Sequence, residues 1–369
     1  MSVLKFRHEV IDADPAGSHQ DVCLILDVNN NGRNDIVIGA FKGKDNLVWY
    51  ENPSWTRHTI STASLEAGGA VFDISGNGRL DIVAGQLTGR ELYWFENPED
   101  PTQRWRRRII DDSILDYHDQ AFGDLDGDGE IELFVLSKRE GLGVYYEIPA
   151  DPRMEPWPPE CKNVIFEVEL VEGVSPIEGL AIVDIDGDGV NEIVASANIF
   201  KPGSNPKERW ERFKIAEDWH PCRVAVADLN GNGILDIVLS EAEVYPAKLA
   251  WFEGPDWKMH LLRDNLFHVH SLAIGDFNGD GLPDIFAAEM GLGRHPGEPQ
   301  MLIYLNQGAA QFEEVVIQRG IPTHEAKIGD LTGDGQPDIV GKPFDPERHI
   351  DVWFNESAGA RRREGDERE

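Results

Sequence analysis

The sequence predicts an all-β fold, a seven-bladed β-propeller of four-stranded blades. Three observations predict it. A nine-residue loop rich in Asp and Asn recurs seven times, its copies beginning 44 to 60 residues apart at Asp27, Asp73, Asp124, Asp184, Asp228, Asp276 and Asp330. Each copy opens into an apolar run, as in Asp35-Ile36-Val37-Ile38 and Asp236-Ile237-Val238-Leu239. An aromatic segment ending in a Pro turn then follows in most repeats, as in residues 47–53 and 92–98. Repeats of this length, too small to bury an apolar face alone, stack into blades around a channel.

Within each loop, ligand-type oxygens stand at the first, third, fifth and ninth positions, the pattern with which a tight turn wraps a hard cation. The sets are Asp27-Asn29-Asn31-Asp35, Asp73-Ser75-Asn77-Asp81, Asp124-Asp126-Asp128-Glu132, Asp184-Asp186-Asp188-Glu192, Asp228-Asn230-Asn232-Asp236, Asp276-Asn278-Asp280-Asp284 and Asp330-Thr332-Asp334-Asp338. A sixth-position glycine, Gly32 in the first copy and Gly335 in the last, permits the turn. An EF-hand is excluded, because it needs flanking helices and a carboxylate at its twelfth position, whereas here the ninth residue begins a strand.

A full repeat supplies four strands: one entering the loop (22–26), one leaving it (36–40), an aromatic strand (47–53) and a polar-aromatic strand (55–60). The aromatic strand recurs at 92–98, 144–149, 249–255 and 350–355, and its rings are read as core between blades. The fourth strand recurs at 105–110, 164–170, 210–215, 257–262 and 312–317. The seventh repeat lacks one, and Phe6-Arg7-His8-Glu9-Val10-Ile11 is a strand without a partner, so the N-terminal strand is expected to complete the last blade and remove an open edge. Residues 1–356 then form one propeller, and 357–369 a charged, disordered tail. Residues 150–162, rich in Pro, read as a surface excursion, and in the fourth repeat 198–209 replaces the aromatic strand with Gly, Pro and Lys.

The net charge of −33 excludes general nucleic-acid binding, which needs a basic surface. Cys23, Cys161 and Cys222 have neither disulfide nor metal spacing and are read as small core residues. No apolar run is long enough to span a membrane and the first residues carry no signal-peptide core, so a cytoplasmic location is expected.

Chemistry is expected at the face opposite the loops. Six residues before the first Asp of a loop stand His118, Glu178, His270 and His324, and eight before it stand His19, His220 and His268. Even offsets share one side of a continuous strand, so these groups should converge at the mouth of the central channel. His19, Glu178, His268 and His324 are candidate ligands for a transition metal such as zinc or manganese. The connections between second and third strands carry Lys42, Arg90, Lys138, Arg139, Lys201, Lys248, Arg294 and Lys342, an expected basic rim that would draw in an anionic ligand.

The loop sets and the strand order resemble the FG-GAP or VCBS repeat family, which includes the propeller of integrin alpha subunits. That resemblance implies calcium at the loops. His-led first strands before aspartate loops, with aromatic Glu-Asn-Pro turns, also resemble the propeller of aldos-2-ulose dehydratase and, more distantly, seven-bladed polysaccharide lyases such as ulvan lyases. They imply a lyase or dehydratase that eliminates across a carbon–carbon bond of a sugar or uronate. His118 or His270 would be the base, Arg139, Arg223 or a His-bound metal the electrophile, and Tyr117 or His220 the acid. A non-enzymatic glycan- or protein-binding propeller is the alternative, and a purely structural scaffold a third reading. No Gly-x-Ser-x-Gly elbow supports hydrolysis by a serine nucleophile.

Overall fold

The computed structural model describes residues 4–86, 88–170, 177–344 and 347–357; of the expected tail, 358–369 lie outside them, and Ser357 is buried and accepts the Lys5 N–H. Its 28 strands form seven antiparallel four-stranded sheets in sequence order. Strand β1 (Phe6–Asp12) pairs with β28 (Ile350–Asn355), so the N-terminal strand is the outermost strand of the last blade, as expected. The aromatic strands lie in the core, with Trp49, Trp94 and Trp353 fully buried. No helix among the described residues is long and apolar enough to cross a membrane.

Seven apolar clusters hold the ring, one at each seam. Trp49 and Leu47 of blade 1 meet Tyr93 and Phe95 of blade 2, and Val48 and Tyr50 of blade 1 meet Val352 and Phe354 of blade 7 across the closing seam. Polar staples run beside them. The Asn that ends the aromatic strand donates its side-chain amide both to a carbonyl of its own blade and to one of the preceding blade. Asn97 Nδ2 donates to Val28 O at 3.0 Å, Asn306 Nδ2 to Leu229 O at 2.7 Å, Asn355 Nδ2 to Phe277 O at 2.9 Å, and Asn52 Nδ2 to Leu331 O at 2.7 Å. The last of these joins blade 1 to blade 7.

Two expectations change. The fourth repeat has its third strand after all: β16 (Asn198–Lys201) pairs with β15 (Glu192–Ala195) across a two-residue turn, and Phe200 stacks on Phe166 at 3.6 Å. Residues 150–162 are not merely a surface excursion. Trp157 is buried and its N–H donates to Ile110 O at 2.8 Å, the bond that Trp105 makes to Ile60 O and Trp210 to Ile165 O. The three cysteines are buried and free, in keeping with a core role.

First strands of neighbouring blades pack on one another, so they line the channel, and their N-terminal ends gather at one mouth. If the staples hold the ring, Asn52→Ala should lower stability by about 1–3 kcal/mol, because a buried carbonyl loses its donor. Urea unfolding of the variant beside the parent protein measures that.

Candidate functional site

The channel mouth is a buried charge network. His118, Glu178, His270 and His324, the residues six before the loop, are all buried there. His118 Nδ1 donates to Asp119 Oδ2 at 2.8 Å, and its Nε2 lies 3.6 Å from Glu66 Oε1 and 3.9 Å from Glu178 Oε2. His270 Nδ1 is 3.2 Å from Glu325 Oε1, and the rings of His270 and His324 are 4.4 Å apart. Phe344 sits edge-on to His324 at 4.9 Å. Cations thread between the carboxylates: Lys138 Nζ lies 2.8 Å from Glu178 and 3.0 Å from Glu243, and Arg223 Nη2 lies 3.2 Å from Asp119 and 3.0 Å from Glu325. Lys342 Nζ donates to His324 O at 2.7 Å.

The residues eight before the loop do not join as a set. His19 and His268 have φ of 54° and 44°, and that left-handed step ends the strand alternation on which equal offsets rely. His19 Nε2 instead lies 3.1 Å from Lys42 Nζ, and His220 is exposed. Tyr117 faces the seam between blades 2 and 3, where its hydroxyl accepts the Ile114 N–H. Arg139 pairs with Asp116 at 3.3 Å. Of the non-histidine candidates for catalysis, Arg223 is buried within the network, whereas Arg139 touches its edge through Asp116. Sequence reasoning missed Asp21, Glu66, Asp116, Asp119, Glu243 and Glu325. Asp119, Arg223 and Glu325 stand five before the loop. In β10 (Tyr117–Gly123) a register shift between Tyr117 and Asp119 lets successive side chains, His118 and Asp119, reach one place.

The basic rim is also different from expectation. Lys138 and Lys342 point inward, Arg90 pairs with Glu140, and Lys248 lies 3.5 Å from Glu241. Lys201 is at the opposite face, on the loop of its own blade. Arg90, Lys138, Lys201 and Lys248 thus compensate the protein's own carboxylates.

The environments push the titratable groups apart. Burial raises Asp21 to about 7 and Glu66 to about 8. For His118 burial opposes the charge, but Asp119 and Glu66 outweigh it and hold the imidazolium up to about 9. His324 is the reverse: burial, with His270 and Lys342 beside it, drives it well below the ordinary imidazole value. Burial brings Lys342 down to about 8. Glu178, Glu243 and His270 each bring a ligand atom within 4.8 Å of the others, a set that could hold a metal ion, with Lys138 now between its two carboxylates.

At the other face the loops fold as the spacing implies. Asp27 accepts the N–H groups of Asn31 and Gly32, and Asp228 those of Gly231, Asn232 and Gly233. The ninth residue is buried: Asp35 accepts from Val28 and, across the blade, from Asn52. Three carboxylates converge in two loops, Asp124-Asp126-Glu132 and Asp184-Asp186-Glu192. Burial and neighbouring carboxylates raise Asp35, Asp81, Asp284 and Asp338 to about 6 and Glu132 to about 7. Such crowding of hard oxygen donors fits a divalent cation.

Because Asp119 holds the His118 proton, Asp119→Asn should bring the His118 titration down from about 9. Nitrogen-15 NMR of the imidazole reads it, and an unmoved midpoint would remove Asp119 as the cause.

Comparison with known proteins agrees with this architecture. The model of the FG-GAP-like repeat matches residues 27–84, 73–135 and 276–341. No curated protein sequence matches the chain. Among solved structures, BBS1N in complex with ARL6DN is similar with a TM-score of 0.56 at 10% identity, over 96% of this chain and 97% of that one. The exotype rhamnogalacturonan lyase YesX is similar with a TM-score of 0.54 at 12% identity, over 94% of this chain and 76% of that one. At such identities the likeness is one of fold. The chain is a seven-bladed β-propeller carrying FG-GAP-like repeats.

Proposed function

We propose that the protein is a carbohydrate-active carbon–oxygen lyase or dehydratase whose site is the histidine-lined channel mouth, with His118 as acid and His324 as base. The observation that carries this reading is the pair of buried imidazoles at one mouth in opposite environments, one ion-paired with Asp119 and one beside Lys342 and Phe344. His324 takes the proton from the carbon next to a carbonyl. That electron pair forms the carbon–carbon double bond as the bond from the next carbon to oxygen breaks, and His118 gives its proton to the departing oxygen. Arg223 Nη1, buried with no hydrogen-bond partner among the described residues, is free to stabilise the enolate oxygen. The roles differ from the sequence-based expectation for a physical reason: a histidine held protonated by Asp119 is an acid at neutral pH. A rhamnogalacturonan lyase shares the scaffold, which is in keeping with elimination chemistry on a propeller.

Six carboxylates, Asp21, Glu66, Asp116, Asp119, Glu178 and Glu325, crowd this mouth in the buried state. His118→Gln and His324→Gln should each lower elimination by about 10²–10⁴-fold. The rate should hold at neutral pH, fall above about 9 as His118 loses its proton, and fall in acid as His324 gains one. Saturable glycan or protein binding, with no unsaturated product from any sugar, would instead make the mouth a recognition site.

At the opposite face, the loops are proposed to hold structural calcium. Without an ion, the folded protein keeps protons on Asp35, Asp81, Asp284, Asp338 and Glu132 that the unfolded chain has released, so stability falls as pH rises through 6 to 7. Calcium should abolish that fall. Melting curves between pH 5 and 8, with chelator and with calcium, measure it; equal curves would remove calcium from the account.

A further inference from the structure

The fourth blade carries its own counter-ion. We propose that the Lys201 ammonium takes the place of a divalent cation in the Asp184–Glu192 loop, so that this loop binds no calcium. The inference rests on the calcium reading of the other loops.

Strand register defines the position. Ile36 pairs with Tyr50, Ile82 with Phe95, Leu133 with Tyr146, Ile237 with Phe252 and Ile193 with Phe200. The next residue in each third strand is therefore equivalent, and it reads Glu51, Glu96, Glu147, Lys201 and Glu253 in blades 1 to 5; in blades 6 and 7, where Ile285 pairs with Tyr304 and Ile339 with Trp353, it is Leu305 and Phe354. Across from the ninth loop residue stand four acids, two apolar residues and, in blade 4 alone of the seven, a base. In blades 1 and 5 the glutamate faces the loop directly: Asn29 Nδ2 donates to Glu51 at 3.3 Å and Asn230 Nδ2 to Glu253 at 3.2 Å. In blade 4 the charge is reversed, and the ammonium meets Asp186, Asp188 at 2.8 Å and Glu192 at 3.0 Å. These are the third, fifth and ninth residues, the set a metal would use.

The loop of blade 3 is a matched control. It too brings a first, a third and a ninth carboxylate together, in Asp124, Asp126 and Glu132. The equivalent side chain is Glu147, and the nearby Lys207 pairs with Glu147. Blade 3 thus keeps its carboxylates for an ion, whereas blade 4 has spent them on a lysine. A calcium ion entering blade 4 would have to expel a tethered cation held by three carboxylates.

Calcium stoichiometry on the metal-stripped full chain tests this, by calorimetric titration with calcium chloride. Lys201→Gln should bind one more ion per chain than the parent protein, and Lys201→Arg no more. Asp184→Asn in the parent should leave the stoichiometry unchanged, while Asp124→Asn should lower it by one. This second pair decides the matter even if Lys201→Gln fails to fold. Equal stoichiometry for Lys201→Gln and parent, or loss of an ion in Asp184→Asn, would overturn the proposal. A parent that binds no calcium, beside a Lys201→Gln variant that binds one, would uphold Lys201 and overturn the wider calcium reading.

Discussion

A ring of blades is held only if its last member is bonded to its first, and here a seven-residue strand from one end of the chain makes that bond. Strand β1 supplies the outer edge of blade 7, and its pairing with β28 brings the two blades of the closing seam into line. The apolar cluster of Tyr50, Val48, Val352 and Phe354 then becomes one more seam like the other six. Asn52 ties the same junction at a polar point, so the closing joint has both kinds of support.

Closure has an electrostatic consequence at the axis. Seven first strands converge, and any acidic residue near their ends meets its counterparts from other blades where water is scarce. Coulomb repulsion between buried carboxylates is large in such a medium, so the arrangement needs interior cations or protons. The protein uses both. Lys138 and Arg223 each bridge two carboxylates contributed by different blades, while Asp21 and Glu66 retain protons well above the ordinary carboxylate range. The two faces therefore differ in kind: one is neutralised largely by the chain itself, and the other, apart from blade 4, leaves its carboxylates for an ion.

Much of this was legible in the sequence because it repeats. Loop sets, strand order and the closing strand follow from spacing alone. The residues at the sixth position before the loop were legible as a group from their equal offsets, although of the four only His118 stands within a first strand, and Gly179 and Glu325 have positive φ. Two residues further back the backbone takes a left-handed step at His19 and His268, which period-two reasoning cannot foresee. Asp119 and Glu325 escaped for a related reason, as adjacent residues of a regular strand should face opposite ways. Arg7 to Glu9 offers a clue that was available: His8 stacks on Trp353 as His58 does on Trp49 and His260 on Trp251, so a histidine in the fourth strand marks its register. Lys201 was visible as a charge but not as a counter-ion, because its blade's third strand lacks the aromatic pattern of the others.

The closing strand also sets an order of events in synthesis. Phe6 pairs with Asn355, so the first strand made must wait for the last. At roughly 5–20 residues per second, the ribosome leaves that strand without its partner for tens of seconds. An unpaired strand is a template for the wrong neighbour, and alternating charges are a known protection. Arg7 and Glu9 stand on its exposed side, paired with each other, and Arg7 also pairs with Glu356 once the ring is shut. The same side chains that fasten the finished blade are thus placed to keep the waiting strand from pairing with another nascent chain.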